Sequence, residues 1–169
     1  MLIAALLLSL ATRPEFTCEA IALHDVDGPI HCASGQKIRL QGIGATETDG
    51  TCRPNQPCVP GDPLAQRRVM ATKVIGAVIR YEDAGLYGQA WFARPVALNC
   101  IATGQSHARV IAWCARQDGR DLSCEAIRLG IAARWAKFDR DRRLVACQAS
   151  SSASNNHQSW WSRLFASER

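Results

Sequence analysis

The sequence lacks any internal apolar run of the roughly 20 residues that a membrane-spanning helix needs. It also lacks a CxxC pair, and its four histidines do not have the spacing of zinc ligands. No internal repeat is evident. These absences argue against a membrane span and a zinc domain. A hydrophobic content of 47% over 169 residues argues against disorder and predicts one domain with a real core.

The N-terminus is apolar over residues 1–12, and the first charged residue is Arg13. This run is too short to span a membrane and fits a signal-peptide core, although no Lys or Arg precedes it. A buried first strand and a misplaced start codon are the alternatives. We predict a signal peptide at 1–12, a domain at 13–147, a flexible polar tail with a Trp-rich end at 148–169, and a secreted or periplasmic protein.

The eight cysteines support export, because an even number in a short chain with a signal-like start is typical of a disulfide framework. Cys52 and Cys58 are close in sequence around prolines, which suits a local bridge. Cys100 and Cys114 are placed to face each other across a predicted hairpin. The pairing of the remaining four stays open. They are Cys18, Cys32, Cys124 and Cys147.

Short β segments alternate with turn signals. The segments are residues 16–26, 30–33, 37–43, 95–102 and 109–115. The first three predict an antiparallel meander that curls into a barrel, and the last two predict a hairpin. Residues 77–94 have no clear pattern, and within them residues 81–88 look like an inserted excursion.

Two helices have clear capping signals. Asp62 and Pro63 begin the first, which Gly76 ends, and Asp121 begins the second, which ends at Gly130. Residues 139–147 are compatible with a further, charged helix.

Charge is uneven: of a net +5, residues 104–143 carry nine basic and five acidic side chains. This suits a polyanion partner, or it is ordinary surface scatter. Tryptophans at 113, 135, 160 and 161 either stack on bases or serve in the core and in docking.

Four segments, taken in order, resemble the staphylococcal-nuclease (thermonuclease-like) family. They are Asp27-Gly28-Pro29-Ile30, the run from Lys37 to Glu47, Ala108 to Ala112, and Asp121-Leu122 with Leu129-Gly130-Ile131-Ala132. The resemblance covers roughly residues 18–138. It implies an α+β, mainly β fold: an OB-type five-stranded barrel with two or three packed helices.

The resemblance also implies a site. Arg39 and Arg109 match the family's two phosphate-binding arginines, and Glu47 matches the glutamate that positions the attacking water. Arginine suits this role because its planar fork binds two phosphate oxygens and stays charged. The alternatives are a structural salt bridge between Arg39 and Glu47, and a surface position for Arg109.

The positions that bind metal in the family are largely replaced in this chain. Pro29 and Gly44 stand where relatives carry aspartates, and only Asp27 remains as a candidate ligand or as a turn former. His107 replaces a tyrosine and is a turn residue or a substitute acid or base. Calcium takes six to eight oxygen ligands, so these losses leave a doubtful calcium site.

We therefore predict a thermonuclease-like phosphodiester hydrolase domain with weak, altered or lost activity. Its expected partner is single-stranded DNA or RNA, and we expect a monomer. The alternatives are an inactive OB-fold module that binds nucleic acid or another anion, and a disulfide-bonded interaction protein without a ligand.

Overall fold

The fold is a closed five-stranded mixed β-barrel, described here from a computed structural model for residues 13–85 and 87–148. The barrel strands are β1 (Glu15–Leu23), β2 (Ile30–Cys32), β3 (Lys37–Leu40), β6 (Ala90–Ser106) and β7 (Arg109–Arg116). They pair in the order β1-β2-β3-β7-β6, and β6 returns to β1. Only β3 and β7 run parallel among these pairs. This is an OB-like α+β fold, mainly β, as the sequence predicts.

Strand β6 is longer than expected, because it serves three partners. It pairs with β1, β7 and an outer strand, β5 (Ile79–Glu82). Shifts of register between Ala20 and Ala22 and between Ala102 and Gly104 bend the paired strands around the barrel. The unassigned stretch at 77–94 is thus β5, a turn and the beginning of β6, and the predicted excursion at 81–88 covers the end of β5 and most of that turn. Two very short strands, β4 (Ile43–Gly44) and β8 (Ala133–Arg134), pair separately.

Both predicted helices are confirmed with their caps. The Asp62 side chain accepts a hydrogen bond from the Leu64 amide, and α1 (Pro63–Val69) runs on into a π-helical segment, Met70–Ile75. The Asp121 side chain accepts from the Cys124 amide at the beginning of α2 (Leu122–Arg128).

The charged segment at 139–147 differs from the expected helix. Buried Asp139 accepts hydrogen bonds from the Arg143 and Leu144 amides, which forms a turn, and helical geometry follows only at 145–148. A 3₁₀ turn, Ala136–Phe138, precedes it.

Four disulfides bind the domain together: Cys18–Cys32, Cys52–Cys58, Cys100–Cys114 and Cys124–Cys147. The second and third are the two pairs expected from the sequence. The first joins β1 to β2, and the fourth ties α2 to the helical turn at 145–148. Such a framework suits an oxidising, extracellular-type environment. Within 13–85 and 87–148, no helix is long and apolar enough to cross a membrane.

Some predictions concern residues outside the described part of the chain. They are the signal peptide at 1–12 and the tail beyond residue 148, including Trp160 and Trp161.

A buried arginine fixes the turn between β5 and β6. The Arg67 side chain is only 2% exposed and donates to the Glu82 carboxylate and to the backbone oxygens of His24, Asp83 and Gly88. Burying a charge is costly unless it is paired and hydrogen-bonded, and this guanidinium has both kinds of partner. Arg67 therefore joins α1, β5 and the turn at 83–89.

We expect Arg67→Ala to lower the free energy of unfolding by about 3–5 kcal/mol, because it leaves buried acceptors without a donor. Arg68→Ala is the matched control, since Arg68 pairs with the same Glu82 from an exposed position and should change stability little. Urea denaturation of both variants measures the difference. Equal effects of the two substitutions would contradict this role for Arg67.

Candidate active site

Several segments that are distant in the chain contribute to one polar cleft. Its volume is about 420 Å³, and it opens between β2, β3, the beginning of β7 and the loops around residues 25–29 and 47–53. Arg39, Glu47 and Arg109 all line it. Lys37 and Arg53 add positive charge, and Asp25 adds a carboxyl group. The residues that the resemblance singles out thus share a surface.

Arg39 is held by Asp27. Its Nη1 donates to Asp27 Oδ1 at 3.0 Å and its Nη2 to Oδ2 at 2.7 Å, a two-bonded contact between an arginine fork and a carboxylate. The Asp27 side chain is 3% exposed and that of Arg39 is 17% exposed. Both ends of the fork are therefore engaged inside the protein. The alternative of a salt bridge between Arg39 and Glu47 is wrong, because the partner of Arg39 is Asp27.

The sharp turn before β2 makes this pairing possible. Gly28 adopts a φ of 112°, and a Cβ there would lie 2.4 Å from the Ile38 backbone oxygen. Only glycine allows so close an approach. The Leu40 amide donates to the Asp27 backbone oxygen at 2.9 Å, which holds the turn against β3.

Glu47 has a different cation beside it. Arg53 Nε lies 2.8 Å from Glu47 Oε1, and Arg53 Nη2 donates to Oε2 at 2.9 Å. The Arg53 side chain is 64% exposed, whereas that of Glu47 is 22% exposed. The Cys52–Cys58 disulfide closes the loop that carries Arg53. The sequence predicts only a local disulfide for this loop, and no sequence signal indicates that Arg53 reaches Glu47.

Arg109 is the arginine of the cleft whose side chain has no internal partner among the described residues, and the exposed Lys37 side chain is likewise unpaired there. Arg109 begins β7 and is half-buried, and within the described part of the chain no side chain pairs with its guanidinium. His107 precedes it in the turn, with a φ of 55°, and is exposed at the cleft. Its Nδ1 lies 3.3 Å from the Ser106 hydroxyl. An unpaired arginine in a cleft is available to bind an external anion.

Asp25 is a site residue that sequence reasoning missed. It is 8% exposed, and its Oδ1 is buried with no partner among the described residues. Burial raises the pKa of Asp25 well above its ordinary value, and the nearby Asp27 carboxylate raises it further. Asp25 and Asp27 both lie in the turn between β1 and β2, so no strand periodicity indicates from the sequence that the two carboxyl groups are close.

His31 also lines the cleft. Burial lowers its pKa, and the charges of Lys37 and His24 lower it further. A lowered pKa favours the neutral imidazole at neutral pH, so the positive charge of this cleft comes from its arginines and lysine rather than from His31.

The donor set of the cleft does not fit calcium. Pro29 has no side-chain oxygen, and a Cβ on Gly44 would lie 2.2 Å from the Pro57 backbone oxygen, so the loop fills the space that an aspartate there would need. Gln56 Nε2 donates to Asp27 Oδ2 at 3.3 Å. Among residues 13–85 and 87–148, no group of three or more His, Cys, Asp or Glu side chains is placed to hold a metal ion.

A second groove of about 430 Å³ continues from the cleft. The two share Arg39, Arg53, His107 and Arg109. The groove also contains Trp135 and Phe138, whose rings meet edge to face with centroids 4.6 Å apart. Cationic side chains thus lie next to an exposed phenylalanine ring and a half-buried tryptophan ring.

Fold and site together define an OB-like β-barrel with a cationic cleft on one side. No protein-family profile matches the chain. A comparison with curated proteins also finds no match.

The Asp25 carboxyl predicts a pH dependence. Because the pKa of Asp25 is raised on folding, the native state retains a proton that the unfolded chain releases near its ordinary carboxyl pKa of about 3.9. Stability should therefore fall as pH rises through the range between these two pKa values. Asp25→Asn stays neutral and should raise the melting temperature at neutral pH more than at acidic pH.

Thermal melts across this range test the effect, with exposed Asp141→Asn as the control. If the melting temperatures of Asp25→Asn and the unmodified protein change in parallel with pH, folding does not raise the pKa of Asp25 and the prediction is contradicted.

Proposed function

We propose that this protein is a thermonuclease-like module that binds single-stranded nucleic acid in its cationic cleft, with hydrolysis weak or lost. The observation that carries the proposal is the shared position of Arg39, Glu47 and Arg109 on one cleft. The lining has four cationic side chains, Lys37, Arg39, Arg53 and Arg109, against the carboxyls of Asp25 and Glu47. Such a surface favours a phosphodiester anion.

Arg109 is the primary phosphate contact in this proposal. Its guanidinium has no internal partner in the described chain, so binding a phosphate costs no existing ion pair. Arg39 supplies positive charge from the wall of the cleft, although its fork remains on Asp27. Trp135 and Phe138 in the adjoining groove offer faces for a base next to the bound phosphate.

Single strands suit this arrangement better than duplexes do. Stacking on an aromatic ring requires a base whose face is free, and OB folds commonly combine a cationic groove with such rings. DNA and RNA strands share the phosphate and the base faces, so the test uses both as ligands.

The second candidate is a metal-independent phosphodiester hydrolase. It is favoured by the presence of Glu47 in the same cleft as the two arginines, because a carboxylate there can orient water. Against it, Arg53 occupies both Glu47 oxygens and Asp27 occupies both ends of the Arg39 fork. Neither group is free to act on a transition state while those contacts persist.

The test is binding and cleavage of fluorescent single-stranded DNA and RNA in calcium, in magnesium and in chelator. We expect salt-sensitive binding with intact strands. Arg109→Ala should weaken binding by roughly tenfold, since a hydrogen bond to a charged group contributes about 1.5–3 kcal/mol. Arg128→Ala is the control, because Arg128 pairs with Glu125 on α2 and lies outside the cleft.

If the protein cleaves the strands and Glu47→Gln abolishes the cleavage, the hydrolase is the correct function rather than the binding module. Absence of binding to either strand at low salt would refute the proposed function.

A further inference from the structure

A metal-dependent phosphodiesterase would use anionic side chains in this region to hold its metal. Here the carboxylates of Asp27 and Glu47 are each paired with other side chains of the chain itself. Asp27 meets Arg39 and Gln56, and Glu47 meets Arg53. Gly44 has no room for a carboxylate beside Pro57. The loop that supplies Arg53, Gln56 and the Pro57 oxygen is a single segment, closed by the Cys52–Cys58 disulfide.

We propose that Arg53, presented by the Cys52–Cys58 loop, is the cation that a bound phosphate meets beside Glu47, so that the anion site is complete without a divalent metal. This inference rests on the proposed function and adds the identity of the second phosphate contact. The ligand class is a phosphodiester or phosphomonoester of a nucleic acid strand.

Arg53 is suited to this role by its position. It lines both the cleft and the adjoining groove, so it lies where the two meet. Its side chain is mostly exposed, while the Glu47 carboxylate that it contacts is mostly covered. Arginine has five N–H donors, and two of its nitrogens are used on Glu47, which leaves donors for a phosphate oxygen.

The loop is anchored to the barrel at several points besides the disulfide. Thr46 donates to the Val59 backbone oxygen, and Gln66 of α1 donates to the same oxygen at 3.0 Å. Gln56 donates to the buried Asp27 carboxylate that also holds Arg39. Arg53 is therefore carried by a loop that is held at Gln56 and Val59 as well as by its disulfide, which reduces the entropy lost when an anion binds.

The test measures the affinity of a fluorescent oligothymidylate by anisotropy, in chelator and in millimolar calcium. The unmodified protein should bind equally in both buffers. Arg53→Ala should weaken binding by roughly tenfold and reduce the slope of log affinity against log salt by about 0.7, the value for one lost phosphate contact on a single strand. Arg128→Ala, from an ion pair of similar exposure outside the cleft, should change neither quantity.

Arg53→Ala would also weaken binding if Arg53 only screened the negative charge of Glu47 and did not touch the phosphate. A double variant separates direct contact from screening. With direct contact, Arg53→Ala/Glu47→Gln binds more weakly than Glu47→Gln alone. Arg53→Lys should recover part of the affinity, because it keeps the charge but not the fork.

Calcium-dependent binding by the unmodified protein, or equal affinity of the double variant and Glu47→Gln, would overturn the role of Arg53 while leaving nucleic-acid binding intact. Absence of binding by the unmodified protein in both buffers would instead remove the proposed function, and this inference with it.

Discussion

The contact between Asp27 and Arg39 is the interaction on which the cleft depends. Asp27 is almost fully buried, and a buried carboxylate needs a cation or several hydrogen bonds to remain charged. Arg39 supplies two hydrogen bonds from β3, and Gln56 adds a third from the Cys52–Cys58 loop. The ion pair therefore joins the turn before β2 to β3 and sets the direction of Arg39. The same pair uses both ends of the Arg39 fork, so the proposed function assigns external anion binding to Arg109 and Arg53.

A second internal ion pair, at Glu47, supports the proposal that the cleft binds an anion rather than hydrolysing one with the help of a metal. Asp27 and Glu47 each have a guanidinium at hydrogen-bonding distance. Asp25, the third carboxyl group, has a raised pKa because it is buried beside Asp27. Few negative charges remain to attract a cation, and the approach of Pro57 to Gly44 leaves no space to restore one. Cationic side chains then dominate the open surface.

Local sequence signals predicted much of the fold. Asp62 and Asp121 are caps because their side chains satisfy amides only a few residues away, and Cys100 faces Cys114 because a hairpin sets that register. Residues brought together by barrel closure were not predictable in this way. The partner of Arg39, the contact of Arg53 with Glu47 and the burial of Arg67 depend on how separate loops pack against the barrel. The shared position of Arg39, Glu47 and Arg109 came from the family resemblance, and no local pattern indicates it.

The account rests on the claim that guanidinium groups of the chain itself occupy the carboxylates of the cleft. A calcium titration followed by two-dimensional amide NMR tests this most directly, because it reports on each residue without requiring activity. The account predicts that the amide signals of Asp27, Gly44 and Glu47 do not shift in a saturable way. Saturable shifts confined to these residues would show that a divalent ion displaces the arginines, and would contradict the account.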